Sequence, residues 1–211
     1  MMTAREQNEL IDTISGYCKK LFFTSAIPEM CQNEGTPKQI EYLCDALKHE
    51  IGQREENRIG RLIKRARFPV YKTFDDYDFK RVKLPPALSR QELIEGSFIE
   101  KKENLVLYGP VGTGKTHMAI AAGVKACMRG CKVRFYTVTE LVLKLAEARK
   151  NGTLERLRNA LNMQGLLILD EWGYVPVDRD GSELLFQIIS DSYESKSLIL
   201  TTNLEFSKWG G

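Results

Sequence analysis

The stretch Gly109-Pro110-Val111-Gly112-Thr113-Gly114-Lys115-Thr116 constrains the fold of this chain more than any other feature. Its glycines, lysine and hydroxyl follow the GxxxxGK[ST] spacing of a phosphate-binding loop. Such a loop works only where a buried strand feeds it and a helix leaves it, because backbone N–H groups and the helix N-terminus hold the anion together. Leu105-Val106-Leu107-Tyr108 before it and Met118-Ala119-Ile120-Ala121-Ala122 after it supply both. Glycine at 109, 112 and 114 permits turns that a side chain forbids and lets the backbone approach the anion closely. Lys115 is suited to reach the β- and γ-phosphates of a nucleotide, and the Thr116 hydroxyl to ligate Mg²⁺ beside them. His117 is grouped with this nucleotide-binding stretch, in a packing or hydrogen-bonding role on the helix rather than a catalytic one.

The rhythm around the loop sets the fold class. Strands are predicted at Asn104 to Tyr108, Lys132 to Thr137, Leu166 to Leu169 and Leu198 to Thr202. Helices are predicted at Lys115 to Met128, Thr139 to Arg149, Leu154 to Met163 and Ser182 to Tyr193. Short apolar strands alternating with amphipathic helices mean an α/β fold with a parallel sheet flanked by helices. Ahead of it the period is helical. Leu10, Ile11, Ile14, Tyr17 and Leu21 mark a first helix, ended by the break at Pro28. Thr36-Pro37 then opens a long second one running to Phe68-Pro69, with Gly52 and Gly60 as weak points. From Val70 to Lys102 the pattern reads as a linker, with a helix at Gln91 to Ile99. Phe74, Tyr77 and Phe79 within it suit a nucleotide base site or core packing equally well.

Leu166-Leu167-Ile168-Leu169-Asp170-Glu171 reads as a buried strand ending in two carboxylates, 55 residues beyond Lys115. Where ATP is cleaved by water on such a loop, the first acid holds the Mg²⁺ shell and the second orients and deprotonates the water. Asp170 and Glu171 suit those roles in that order, although an Asp-Glu pair also caps turns after strands. Small kinases, the rival class, need an arginine-rich lid, and no such run follows Asp170. Leu198-Ile199-Leu200-Thr201-Thr202-Asn203 also ends in polar side chains, where open α/β sheets bind ligands. If this strand lies between the loop strand and the Asp170 strand, Asn203 is the sensor of the bound nucleotide. Thr202 is the alternative, and a plain turn-forming Asn the third possibility. No arginine follows Asn203, and Arg179 reads as a surface or subunit-contact residue rather than a γ-phosphate ligand.

Composition adds exclusions. Thirty-one Lys plus Arg against 28 Asp plus Glu leave only +3, so a nucleic-acid surface requires local clustering. The segment Gln53 to Lys72 has it: Arg54, Arg58, Arg61, Lys64, Arg65, Arg67 and Lys72 face only Glu55 and Glu56. Arg54, Arg58, Arg61 and Arg65 fall on one helical stripe, which suits a phosphate backbone or a plain solvated face. Cys18, Cys31, Cys44, Cys127 and Cys131 form no CxxC pair, and with His49 and His117 alone there is no zinc set, so reduced thiols are expected. Without a signal-peptide pattern or a run of ~20 apolar residues, a cytoplasmic protein with no membrane contact is expected.

Further stretches carry a family resemblance. They are the loop through His117, Val133-Arg134-Phe135 leading into Thr139-Glu140-Leu141-Val142, and Leu169-Asp170-Glu171-Trp172-Gly173-Tyr174-Val175-Pro176. Gly181-Ser182-Glu183-Leu184-Leu185-Phe186-Gln187 and Thr202-Asn203-Leu204-Glu205-Phe206-Ser207-Lys208-Trp209-Gly210 continue the series, with Ala66-Arg67-Phe68-Pro69 and Phe74 to Phe79 upstream. Over nearly its whole length the chain resembles the AAA+ transposition helper ATPases of the IstB type, relatives of the helicase loaders DnaC and DnaI. The resemblance implies a P-loop AAA+ core over residues 70–211 and a small N-terminal helical, DNA-binding domain over 1–69, with ATP and Mg²⁺ as cofactors. It implies a protein that oligomerises on duplex DNA and delivers it, largely without sequence preference, to an IstA-type transposase. It carries over the roles of Lys115, Thr116, Asp170, Glu171 and Asn203, and turns the basic stripe of Arg54, Arg58, Arg61, Lys64, Arg65 and Arg67 towards DNA. Members of the family continue past the Asn-Leu-x-Phe-Ser-x-Trp stretch, through a helix with a trans-acting arginine and a final strand. This chain stops at Gly210-Gly211, so a truncated core with impaired hydrolysis is expected. The alternatives are a helicase loader of the DnaC or DnaI kind, or a nucleotide- and DNA-binding module without efficient turnover.

Overall fold

Strands β1 (Leu105–Tyr108), β2 (Val133–Thr137), β3 (Leu166–Trp172) and β4 (Ser197–Thr202) form one parallel sheet in the order β1-β4-β3-β2. The structure is a computed structural model and describes residues 3–173, 179–193 and 195–205. Tyr174-Val175-Pro176, the Arg179 side chain and Phe206 to Gly211, named above for the resemblance, the arginine and the chain end, lie outside the described residues. Parallel strands need covered faces, and successive side chains point to opposite sides. Leu166, Ile168, Ile199, Val133 and Phe135 accordingly join one buried cluster with α6 (Lys115–Met128). Leu167, Leu169, Leu198 and Leu200 join the other, with α7 (Val138–Lys150), α8 (Leu154–Asn162) and α9 (Arg179–Ser192).

The described residues divide into two compact units, one up to Arg58 and one from Ile59 onward. In the first, α1 (Ala4–Leu21), α2 (Ala26–Glu34) and the start of α3 (Pro37–Ala66) share a core of Ile11, Ile14, Cys18, Leu21, Cys31, Ile40, Cys44 and Leu47. A capping box at Thr3 and Glu6 starts α1. The second unit takes the last turns of α3, where Leu62, Ile63 and Ala66 pack into the same cluster as α6. All five cysteines are free thiols. Among the described residues no helix is long and apolar enough to cross a membrane.

Three elements differ from the sequence expectation. Pro28 lies inside α2 rather than between helices, because a proline within the first turn removes an N–H that has no intrahelical acceptor. The single helix predicted at Gln91 to Ile99 is two, α4 (Arg90–Glu95) and α5 (Ser97–Glu100), split by Gly96 at φ 74°. Strand β3 extends past Leu169 through Asp170, Glu171 and Trp172.

Candidate nucleotide site

β1 hands over to the loop at Gly109, whose N–H donates to the Thr202 carbonyl of β4 at 3.2 Å, so the ladder continues one residue beyond the strand. Gly112 and Gly114 have φ of 78° and 86°, a conformation side chains resist. Gly114 has a second reason to lack a side chain: a Cβ there would lie 3.1 Å from the Tyr77 ring. Lys115 opens α6, and its Nζ donates to the carbonyls of Gly109 and Pro110, each at 2.8 Å, so the ammonium lies over the loop. Burial pushes the Lys115 pKa below the ordinary lysine value, against the opposing pull of Asp170.

The acidic strand meets this helix directly. The Thr116 hydroxyl lies 3.0 Å from both carboxylate oxygens of Asp170, which is buried at 4% exposure. Asp170 also accepts a hydrogen bond from the Thr201 hydroxyl of β4. Hydroxyl and carboxylate oxygens are the hard donors that suit Mg²⁺, which takes one or two protein ligands and completes its shell with water and phosphate. The pair of Thr116 and Asp170 therefore fits a magnesium–nucleotide complex.

Glu171 is exposed and has φ 66°, a left-handed conformation that costs a non-glycine residue ~1–3 kcal/mol. The strand register explains it. Leu169 pairs with Leu200, yet Trp172 pairs with Thr202, so β3 holds one residue more than β4 over this stretch. That is a β-bulge, which re-aims the side chains of Asp170 and Glu171 away from simple alternation. Two threonines close it. Thr201 Oγ1 accepts from the Glu171 N–H at 3.0 Å, and the Thr202 hydroxyl donates to the Trp172 carbonyl at 2.9 Å.

β4 lies between β1 and β3, the placement on which the sensor role of Asn203 depends. Asn203 follows Thr202, whose carbonyl holds the first loop glycine. Its Oδ1 is buried with no hydrogen-bond partner among the described residues. A buried polar atom left so costs ~1–3 kcal/mol, which marks it as a group awaiting a ligand or water. His117 turns elsewhere: its Nε2 lies 2.9 Å from the Thr73 carbonyl and its ring stands edge-on to Tyr77 at 5.1 Å. Tyr77 also lines a cavity of about 500 Å³ with Val82, Leu84, Leu88, Tyr108 and Met118, which continues to Gly109, Pro110 and Lys115. Phe74 and Phe79 stand edge-on to Tyr77, with centroids 6.4 and 4.9 Å away. The sequence assigns no role to Thr201, which there is one of the three polar residues, with Thr202 and Asn203, that end the Leu198-Ile199-Leu200 run.

Arg54, Arg58, Arg61, Lys64 and Arg65 lie on α3 and Arg67 just beyond it, all exposed, whereas Lys72 is half-buried. Arg54 pairs with Glu50 at 2.7 Å and Arg58 with Glu55 at 2.6 Å, both in the first unit. Arg61, Lys64, Arg65 and Arg67 belong to the second unit and form no ion pair among the described residues. The Arg65 carbonyl accepts from Arg134 at 2.7 Å, and Arg67 leaves the helix at φ 59°.

Sheet order and loop position together define the class: this is a P-loop domain of the AAA+ type. Its sequence narrows it further. Residues 23–211 match the family of IstB-like ATP-binding proteins, and the chain belongs to that family. It is 40% identical over 173 residues to a Pseudomonas aeruginosa protein named for ATP binding in insertion sequence IS21, covering 81% of this chain and 64% of that one. It is 39% identical over 205 residues to the corresponding IS5376 protein of Geobacillus stearothermophilus, covering 94% and 81%. The chain thus spans about two thirds of the first relative's length. Among solved structures, AMPPCP-bound DnaA from Aquifex aeolicus superposes with a TM-score of 0.55 at 27% identity, over 68% of this chain and 44% of that one. The DnaC helicase loader shares the fold, with a TM-score of 0.51 at 24% identity over 64% and 78% of the two chains.

Proposed function

We propose that this chain binds and hydrolyses ATP with Mg²⁺ and binds duplex DNA as an oligomer to assist an IstA-type transposase in selecting its target. The observation that carries the nucleotide half is the meeting of Thr116 with Asp170 beside Lys115 and the loop amides. Lys115 exchanges the Gly109 and Pro110 carbonyls for β- and γ-phosphate oxygens. Thr116 and Asp170 would hold Mg²⁺, which when bound would neutralise charge on the phosphates. Glu171 takes the proton of the attacking water, and the free amide oxygen of Asn203 reports on the γ-phosphate or the water. The cavity lined by Tyr77, Val82 and Leu88 suits an apolar, aromatic base.

The transposition half is supported by relatives named for insertion sequences at 39–40% identity, which favours it over helicase loading, where the likeness to DnaC is one of fold. The DNA half is supported by the exposed Arg61, Lys64, Arg65 and Arg67. The experiment measures binding of a fluorescent ATP analogue and phosphate release side by side. Glu171→Gln is expected to keep affinity within a few-fold and lose turnover by ~10²–10⁴, the usual contribution of a general base. Lys115→Ala is expected to lose binding. Equal loss of binding in both variants would overturn Glu171 as the base.

A further inference from the structure

We propose that Thr201 is a positioning residue that sets both acids of the site at once. Thr201 is 2% exposed on the central strand β4, where Leu198, Ile199 and Leu200 before it are apolar. Its Oγ1 accepts the Glu171 N–H at 3.0 Å, so the single hydroxyl proton is left for another acceptor, and Asp170 Oδ1 takes it. The three groups form a one-way chain, from the Glu171 amide through the Thr201 hydroxyl to the Asp170 carboxylate, in which each bond polarises the next.

Two geometries depend on that chain. Asp170 keeps the rotation at which its oxygens face the Thr116 hydroxyl. Glu171 keeps its left-handed backbone at the only place where β3 and β4 fall out of register. Thr202 fastens the far side, since its hydroxyl donates to the Trp172 carbonyl and accepts from the Leu204 N–H at 3.0 Å. Thr201 thus acts where the bulge opens and Thr202 where it closes. Thr201→Val would fill nearly the same volume, yet leave the Glu171 amide without this acceptor and Asp170 with the Thr116 hydroxyl but without the donor from β4. The inference rests on the proposed roles of Asp170 towards Mg²⁺ and of Glu171 as the base.

The test compares wild type, Thr201→Val and Thr201→Ser by three readouts. These are the Mg²⁺ concentration for half-maximal binding of a fluorescent ATP analogue, kcat with KM, and Tm. For Thr201→Val, half-saturation by Mg²⁺ is expected to rise and kcat to fall by about 10–100-fold, the range seen when a ligand-orienting partner is removed. KM for ATP at saturating Mg²⁺ is expected to move by less than about threefold, because the loop still binds the phosphates. Thr201→Ser, which keeps the hydroxyl and loses the methyl, is expected to restore both. Packing alone predicts the opposite order, with serine the less stable variant and neither variant altered in Mg²⁺ dependence or kcat; that result overturns the proposal. Thr201→Ala replaces the valine variant if the latter unfolds. A wild type without turnover defeats the hydrolytic reading while the Mg²⁺ titration still decides on Thr201. There, an unchanged half-saturation in Thr201→Val overturns the proposal, and a raised one rescued by serine supports it.

Discussion

Cys127 lies with 0% exposure on α6, and burial pushes its thiol from 9.0 up to about 12. The folded value is above the unfolded one, so raising the pH removes the proton from the unfolded chain first. The stability held by the neutral thiol is complete below pH 9.0 and drains away between there and about 12. Urea unfolding at about pH 8 and about pH 10 is expected to show a falling midpoint in the wild type and a shallower fall in Cys127→Ala. A fall as steep in the variant would place the alkaline loss elsewhere. Residue chemistry of this local kind is legible in sequence, as the phosphate loop and the Asp170-Glu171 pair are, because each is a contiguous run. The hydroxyl of Thr201 is not, since its partners lie 30 and 31 residues away and meet it only through the strand order. The left-handed turn at Glu171 is likewise invisible in a residue type that normally avoids it.

Glycines make the element scale concrete. Gly60 sits in α3 with nothing near the place a Cβ would occupy, so Gly60→Ala is expected to stabilise by ~0.5–1 kcal/mol through reduced chain entropy. Gly123 sits in α6 where a Cβ would meet Ile168 Cδ1 and the Phe68 ring, both at 2.8 Å. The same substitution there is expected to destabilise by ~1–3 kcal/mol, the cost of overpacking between helix and sheet. Opposite shifts in urea midpoint confirm the pair; equal signs refute the close approach of α6 to β3. Neither sign follows from the helical pattern, which counts both glycines alike. Strands and helices of the sheet domain were legible because their apolar period is long and regular. The misread elements turn on single residues: Pro28 is tolerated by its place in a first turn, and Gly96 interrupts a helix that its neighbours favour. The full extent of β3 depends on pairings with distant strands, since Asp170 is held by Thr137 of β2 and Trp172 by Thr202 of β4, with Glu171 unpaired between them.

At the scale of the whole chain, a net charge of +3 gives no general attraction for DNA, so the proposed binding must come from one place. Helix α3 offers two kinds of basic residue. Arg54 and Arg58 spend their charge on Glu50 and Glu55 within the helix, whereas Arg61, Lys64 and Arg65 are exposed and form no ion pair among the described residues. Contacts to phosphates release counterions and carry no base readout, so they weaken with salt and act on any duplex alike. The triple variant Arg61→Ala, Lys64→Ala, Arg65→Ala is therefore expected to reduce the slope of log K against log salt by about 2–3, roughly one per lost phosphate contact. Arg54→Ala with Arg58→Ala is expected to change it by less, since those side chains must first leave their carboxylate partners. Fluorescence anisotropy on two unrelated duplexes, across about 50–200 mM salt, separates the outcomes. A slope unchanged by the triple variant, or one that differs between the duplexes, removes these residues from the DNA surface and moves it to another part of the molecule.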